Sequence, residues 1–191
     1  MPVPPMPEES AVRRLLAFLR LVLVLAASMY AAWFLSATLV PQGFLRPFAV
    51  RIFSARVGEF TFWRILLANL FPFLAVPFMN LYRVNEHPGG AYVLPIFWVI
   101  YGLLLGTNSF VFAGQPVPLS ISVLWQRTGF TEALAYTASY EATREWALWE
   151  QQGLWSVRRL VGKKWRPEAQ DWAYWIVGLV LLILAAAREV R

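Results

Sequence analysis

The chain has 191 residues, of which 59% are hydrophobic, 16% aromatic and 15% charged. Soluble domains carry about 45 to 50% apolar and about 25% charged residues, so this is the composition of a bilayer protein, with no room for a sizeable soluble domain beside the membrane part. The net charge of +6 comes from 17 basic against 11 acidic residues, and every basic residue except Lys163 and Lys164 is arginine. That excess reads as arginine of loops and helix ends meeting lipid headgroups, which argues against nucleic acid as a partner. The absence of cysteine excludes disulfides, iron–sulfur clusters and thiolate catalysis. A single histidine, His87 in the turn sequence NEHPGG, and carboxylates without ligand spacing leave no metal or cofactor expected.

Taken in chain order, the proline-rich start predicts an extended polar tail over residues 1–12, with one helical membrane domain over 13–191. After Arg13, Arg14 and Arg20, residues 21–40 carry no charge, and a first span is expected over about 15–40. Residues 44–60 mix Phe48, Ile52, Phe53 and Phe60 with Arg46, Arg51 and Arg56, the pattern of an interfacial helix with snorkelling arginines.

A second span is expected over 62–83. Pro72 and Pro77 each remove a backbone donor from it, so it is expected to kink, and Asn69 and Asn80 read as helix-packing glue. The third span, 91–113, is uncharged and places Gly102 and Gly106 one turn apart on one face, which lets another helix backbone come close. The final span, 171–188, is anchored at one boundary by Trp172, Tyr174 and Trp175.

The segment FTEALAYTASYEATREWALWE between them holds five ionisable side chains and is expected as a fourth span over 129–151. A charge in lipid costs roughly 2.5 to 3.5 kcal/mol, so this helix can cross only when walled in by others. Glu132, Tyr136, Ser139, Thr143 and Glu150 fall on one helical face and Glu141 and Glu145 nearly opposite, with an Arg144–Glu141 ion pair in reach. Glu132, Tyr136, Glu141, Arg144 and Glu145 are therefore the candidate intramembrane polar network. Charge counting does not separate five spans from four. Five put nine basic residues inside and seven outside, whereas four put eleven inside and six outside.

Three short patterns recur together here. Asn69 opens the second hydrophobic run, with Ala68 before it. Tyr101, Gly102 and Gly106 lie in the third. Thr128, Gly129, Glu132 and Ala135 open the fourth. Over residues 60–150 this arrangement resembles the stage II sporulation protein M family of multi-pass membrane proteins, with tyrosine at one asparagine position and threonine at the histidine position. The resemblance implies that the segment from Glu132 is embedded, supporting five spans. It also implies a membrane partner of a larger complex that is not itself a hydrolase.

The expected fold is thus all-α and polytopic, in a cell membrane. The expected function is a non-catalytic subunit that packs with other integral membrane proteins and lipids, and a homo-oligomer is one form that packing can take. Asn69, Gly102, Gly106 and Gly129 are the expected packing residues. The alternative is a permease-like or channel component with a polar cavity around Glu132 and Arg144. An intramembrane enzyme is not expected, since Glu132 can move a proton but cannot build a site unaided.

Overall fold

The computed structural model describes residues 7–53, 61–109, 111–112, 115–116, 129–152, 156–160 and 167–190. Helix α1 runs over Pro7–Leu39, a short α2 over Arg46–Phe53, α3 over Phe62–Asn80, α4 over Gly90–Gly106, α5 over Phe130–Thr143 and α6 over Ala169–Glu189. Three of these, Ala11–Leu39, Phe62–Asn80 and Ala169–Glu189, are long and apolar enough to cross a membrane. Helix α4 is apolar but shorter, with 17 residues.

Several expected boundaries move. Residues 7–12 of the expected extended tail are helical, as the first part of α1. Residues 1–6 of the expected tail and 54–60 of the expected interfacial helix lie outside the described residues. The helix in the expected second span stops at Asn80 and that in the expected third span at Gly106. The fourth helix is the largest correction. It has 14 residues, about 21 Å, against about 30 Å of hydrocarbon, and it ends at Thr143, where a turn at Arg144 and Glu145 leads to strand from Trp149.

The expected all-α architecture is also incomplete. Strands β1 (Tyr82–Val84), β2 (His87–Pro88), β5 (Trp149–Gln151) and β6 (Val157–Arg159) form a four-stranded sheet in the order β2-β1-β5-β6. Strands β3 (Val111–Phe112) and β4 (Gln115–Pro116) form a separate antiparallel pair. The β1–β2 turn holds Asn85 and Glu86 at positive φ, and β1 runs parallel to β5 with Tyr82 beside Trp149, their rings stacked 5.2 Å apart. His87 is exposed in β2.

Helix directions follow from paired contacts. A Cβ on Gly102 would strike the Met29 carbonyl and one on Gly106 the Trp33 carbonyl, so α1 and α4 run parallel with backbones in close approach. Asn69 meets Glu132 and Asn80 meets Thr143, so α3 runs parallel to α5. Asn80 also binds Gly90 and Tyr101 binds Glu132, so α4 is antiparallel to both. Helix α6 lies antiparallel to α5, with Gly178 against Ala135 and Ala138 and Asp171 near Glu141 through Arg14.

The five longer helices therefore alternate in direction along the chain. Around one end, the sheet end, gather Arg14, Asn80, Gly90, Glu141, Asp171 and the four-stranded sheet. The opposite, far end gathers the α1–α2 connection, where the Gly43 amide donates to the Thr107 carbonyl at 2.6 Å. The core between is apolar, built around the fully buried Met29, Phe73, Val76, Trp98, Tyr136 and Leu182. Outward faces of α1, α3 and α6 expose Leu23, Val24, Phe71, Phe78, Ile176 and Leu184. Exposing so many large apolar side chains on three long helices suits a membrane location.

Candidate functional site

Two polar clusters interrupt the apolar interior, at opposite ends of α5. The first is built around Glu132. Gly129 caps α5 at φ +84°, a left-handed conformation that favours glycine, and a Cβ there would lie 3.0 Å from the Tyr101 ring. Its amide donates to the Glu132 carboxylate three residues on, which is half of a capping box and puts an acid where the helix dipole favours it. Ala135 and Ala138 follow as small residues because Gly178 of α6 packs on them. The spacing Gly129, Glu132, Ala135 is thus one device: cap, acid, and a surface narrow enough for the neighbouring helix.

The rest of the shell comes from other helices. Asn69 of α3 donates its Nδ2 to Glu132 Oε1, and the Tyr101 hydroxyl of α4 donates to Glu132 Oε2 at 2.6 Å. Tyr136, one turn along α5, donates to Asn69 Oδ1 at 2.9 Å and lies 3.3 Å from the Tyr101 hydroxyl. All four side chains are buried, and among the described residues no cation pairs with Glu132. Asn69, Tyr101, Glu132 and Tyr136 come from three helices, and this hydrogen-bonded quartet meets only through tertiary packing.

The second cluster lies at the sheet end. Arg14 donates Nε to Glu141 Oε1 at 2.8 Å and Nη2 to the Glu141 carbonyl and to Asp171 Oδ1, both at 2.6 Å. Its guanidinium carbon also sits 5.3 Å from the centre of the Tyr174 ring. Asp171 accepts from the Glu168 amide at 2.9 Å through its other oxygen, within the capping box that starts α6. Arg144 Nε lies 3.3 Å from Glu141 Oε1 and 3.9 Å from Glu145 Oε1, and the Glu145 side chain is 68% exposed. A third knot ties the same end. Asn80 accepts from the Gly90 amide at 2.9 Å and donates to Thr143 Oγ1 at 2.8 Å, joining α3, α4 and α5.

The residues predicted as one polar network therefore separate. Glu132 and Tyr136 belong to the first cluster, while Glu141, Arg144 and Glu145 belong to the second, with Glu132 and Arg144 about 18 Å apart along the helix rise. Glu150 leaves the helical face altogether and lies in β5. Sequence reasoning missed the roles of Arg14 and Asp171, which sit at the ends of apolar runs. It also missed the link from Tyr101 to Glu132, although both had been singled out. Thr128 lies outside the described residues.

Chemically, the first cluster can hold a carboxyl group in a fully hydrogen-bonded apolar setting, and the second can lock three helices through charge. Among the described residues no group of three or more metal-ligating side chains gathers. No family model matches this chain, and neither a curated protein nor a solved structure matches it.

Proposed function

We propose that this chain is a non-catalytic integral membrane subunit, crossing the bilayer five times, that packs with other membrane proteins as a scaffold or accessory component of a larger complex. The observation that carries the reading is that the buried carboxylates and asparagines of these clusters bond one another and their neighbouring helices. Glu141 is bonded by Arg14, Glu132 by Asn69, Tyr101 and the Gly129 amide, and Asn80 of α3 by groups of α4 and α5, while the outward faces stay apolar. Polar groups arranged this way hold helices together and leave the outer surface for lipid and partner helices.

Five crossings are supported by strand pairing. Arg83 and Glu150 are partners in adjacent strands, so they share one end of the bundle, yet α4 carries the chain to the other end. The chain must return before Trp149, and α5 runs that way. Walled in by α3, α4 and α6, a short polar helix can lie at membrane depth. Among the described residues the sheet end carries Arg13, Arg14, Arg20, Arg83, Arg144, Arg158 and Arg159, and the far end Arg46, Arg51, Arg64 and Arg188, which favours a cytoplasmic sheet end and N-terminus in a cell membrane.

The likeness to the stage II sporulation protein M family supports the same reading. Each of its three patterns contributes to the Glu132 cluster, through Asn69, through Tyr101 and through Gly129 with Glu132, while Gly102 and Gly106 pack against α1. Extraction in mild detergent, native gel separation and mass spectrometry of the co-migrating chains tests the reading. Stoichiometric co-migration with other membrane proteins is expected. Migration alone, with solute flux in vesicles that Glu132→Gln abolishes without changing the fold, would transfer the assignment to a permease-like role centred on Glu132.

A further inference from the structure

The Glu132 shell has a property that packing alone does not require. Among the described residues, every group that hydrogen-bonds the carboxylate is either a fixed donor or a hydroxyl that can turn. Asn69 from α3, Tyr101 from α4, Tyr136 from its own helix and Glu189 from α6 are the polar or titratable side chains among the described residues that face it. Glu189 is partly exposed in the last turn of α6, at the far end, and is near enough to Glu132 for their charges to interact. An ionised carboxyl group without a cation is costly in an apolar interior, and hydrogen bonds offset only part of that cost.

We propose that Glu132 is a reversible proton-binding site, with the Tyr101 hydroxyl as the rotor that serves both its forms. In the ionised form Tyr101 donates to Oε2 at 2.6 Å while Asn69 donates to Oε1. When a proton from bulk water adds to Oε2, the new O–H donates to the Tyr101 oxygen. The Tyr101 hydrogen then turns to the Tyr136 oxygen at 3.3 Å or to Asn69 Oδ1 at 3.4 Å. Tyr136 can accept because its own hydrogen is given to Asn69 Oδ1. One O–H bond forms on binding and the same bond breaks on release to water. No buried donor or acceptor is stranded in either form, which a shell of fixed amides could not achieve. This goes beyond the scaffold reading and does not depend on it.

Infrared difference spectroscopy of the purified full-length chain in lipid nanodiscs, stepped through pH in H2O and D2O, tests the proposal. A protonated-carboxyl C=O band that grows on acidification, shifts in D2O and is missing in Glu132→Gln is expected. Glu189→Gln should keep the band. Tyr101→Phe removes a donor to the carboxylate and an acceptor for the acid, and because the bond to the charged form is the stronger, the midpoint should move to higher pH by about tenfold in proton concentration. The proposal is overturned if no such band titrates, if the band survives in Glu132→Gln, or, should that variant not fold, if Tyr101→Phe leaves the midpoint unchanged.

Discussion

Arg14 and Glu141 lie 127 positions apart in the chain, yet the Arg14 guanidinium binds both the Glu141 carboxylate and the Glu141 backbone carbonyl. The Glu141 side chain is 1% exposed and that of Arg14 12%, so water contributes little to either. Through Asp171 the same guanidinium reaches α6, making one side chain the joint of α1, α5 and α6.

Arg14→Ala should therefore destabilise the fold by about 3 kcal/mol, the cost of leaving a buried carboxylate without its partner. Arg144 at 3.3 Å replaces part of the charge but none of the contact to Asp171. Thermal unfolding in detergent measures the effect, and Arg14→Ala combined with Glu141→Gln should cost clearly less than the sum of the two. Additive losses would mean that the two side chains act independently.

Gly106→Val should separate α1 from α4. Its first side-chain carbon would meet the Trp33 carbonyl, which belongs to helix backbone and cannot yield, besides the Ser36 hydroxyl. Overpacking of this kind costs about 1 to 3 kcal/mol. The corresponding change at the partly exposed Ala37 should cost little, and equal effects at the two positions would rule out close backbone approach as the cause.

Asn80→Ala removes an acceptor for the Gly90 amide and a donor to Thr143, so about 2 kcal/mol should be lost. Asn80→Asp keeps the acceptor and should recover part of it. Hydrogen exchange at Gly90 reports the loss directly: faster exchange is expected in the alanine variant and slower exchange than that in the aspartate variant.

Because the chain lacks cysteine, single cysteines can be placed without background. Glu86→Cys and Gln152→Cys should label with an impermeant maleimide from the same side of a vesicle, and Gln42→Cys and Val190→Cys from the other. Labelling of positions 86 and 152 from opposite sides would mean that α5 does not cross the bilayer.

How much of this was legible beforehand differs by scale. The apolar runs of α1, α3, α4 and α6 were readable because hydrophobicity accumulates over consecutive residues and lipid accepts no other backbone arrangement than a satisfied one. The ends of those helices were less so. The uncharged run of the expected third span continues past Gly106, but Thr107 donates to Leu103 and Leu104 carbonyls and Asn108 takes a left-handed turn at φ 51°. The small sheet was invisible, since strands of two or three residues carry no periodicity and β1 and β5 lie far apart in the chain.

The candidate site divides the same way. Glu132 was conspicuous as an acid among apolar residues, and Gly102 and Gly106 as glycines one turn apart, because those signals are local in the chain. That Glu132 meets Asn69 and Tyr101, whereas Glu141 meets Arg14, depends on how far each helix is rotated about its axis and how it is shifted along its neighbours. Those quantities are set by the summed packing of large side chains such as Phe73, Trp98 and Leu182. Composition and apolar runs were enough to predict a helical membrane protein with a polar helix inside it; only the packed helices decided which polar groups share a hydrogen bond, since that bond requires a register no single segment encodes.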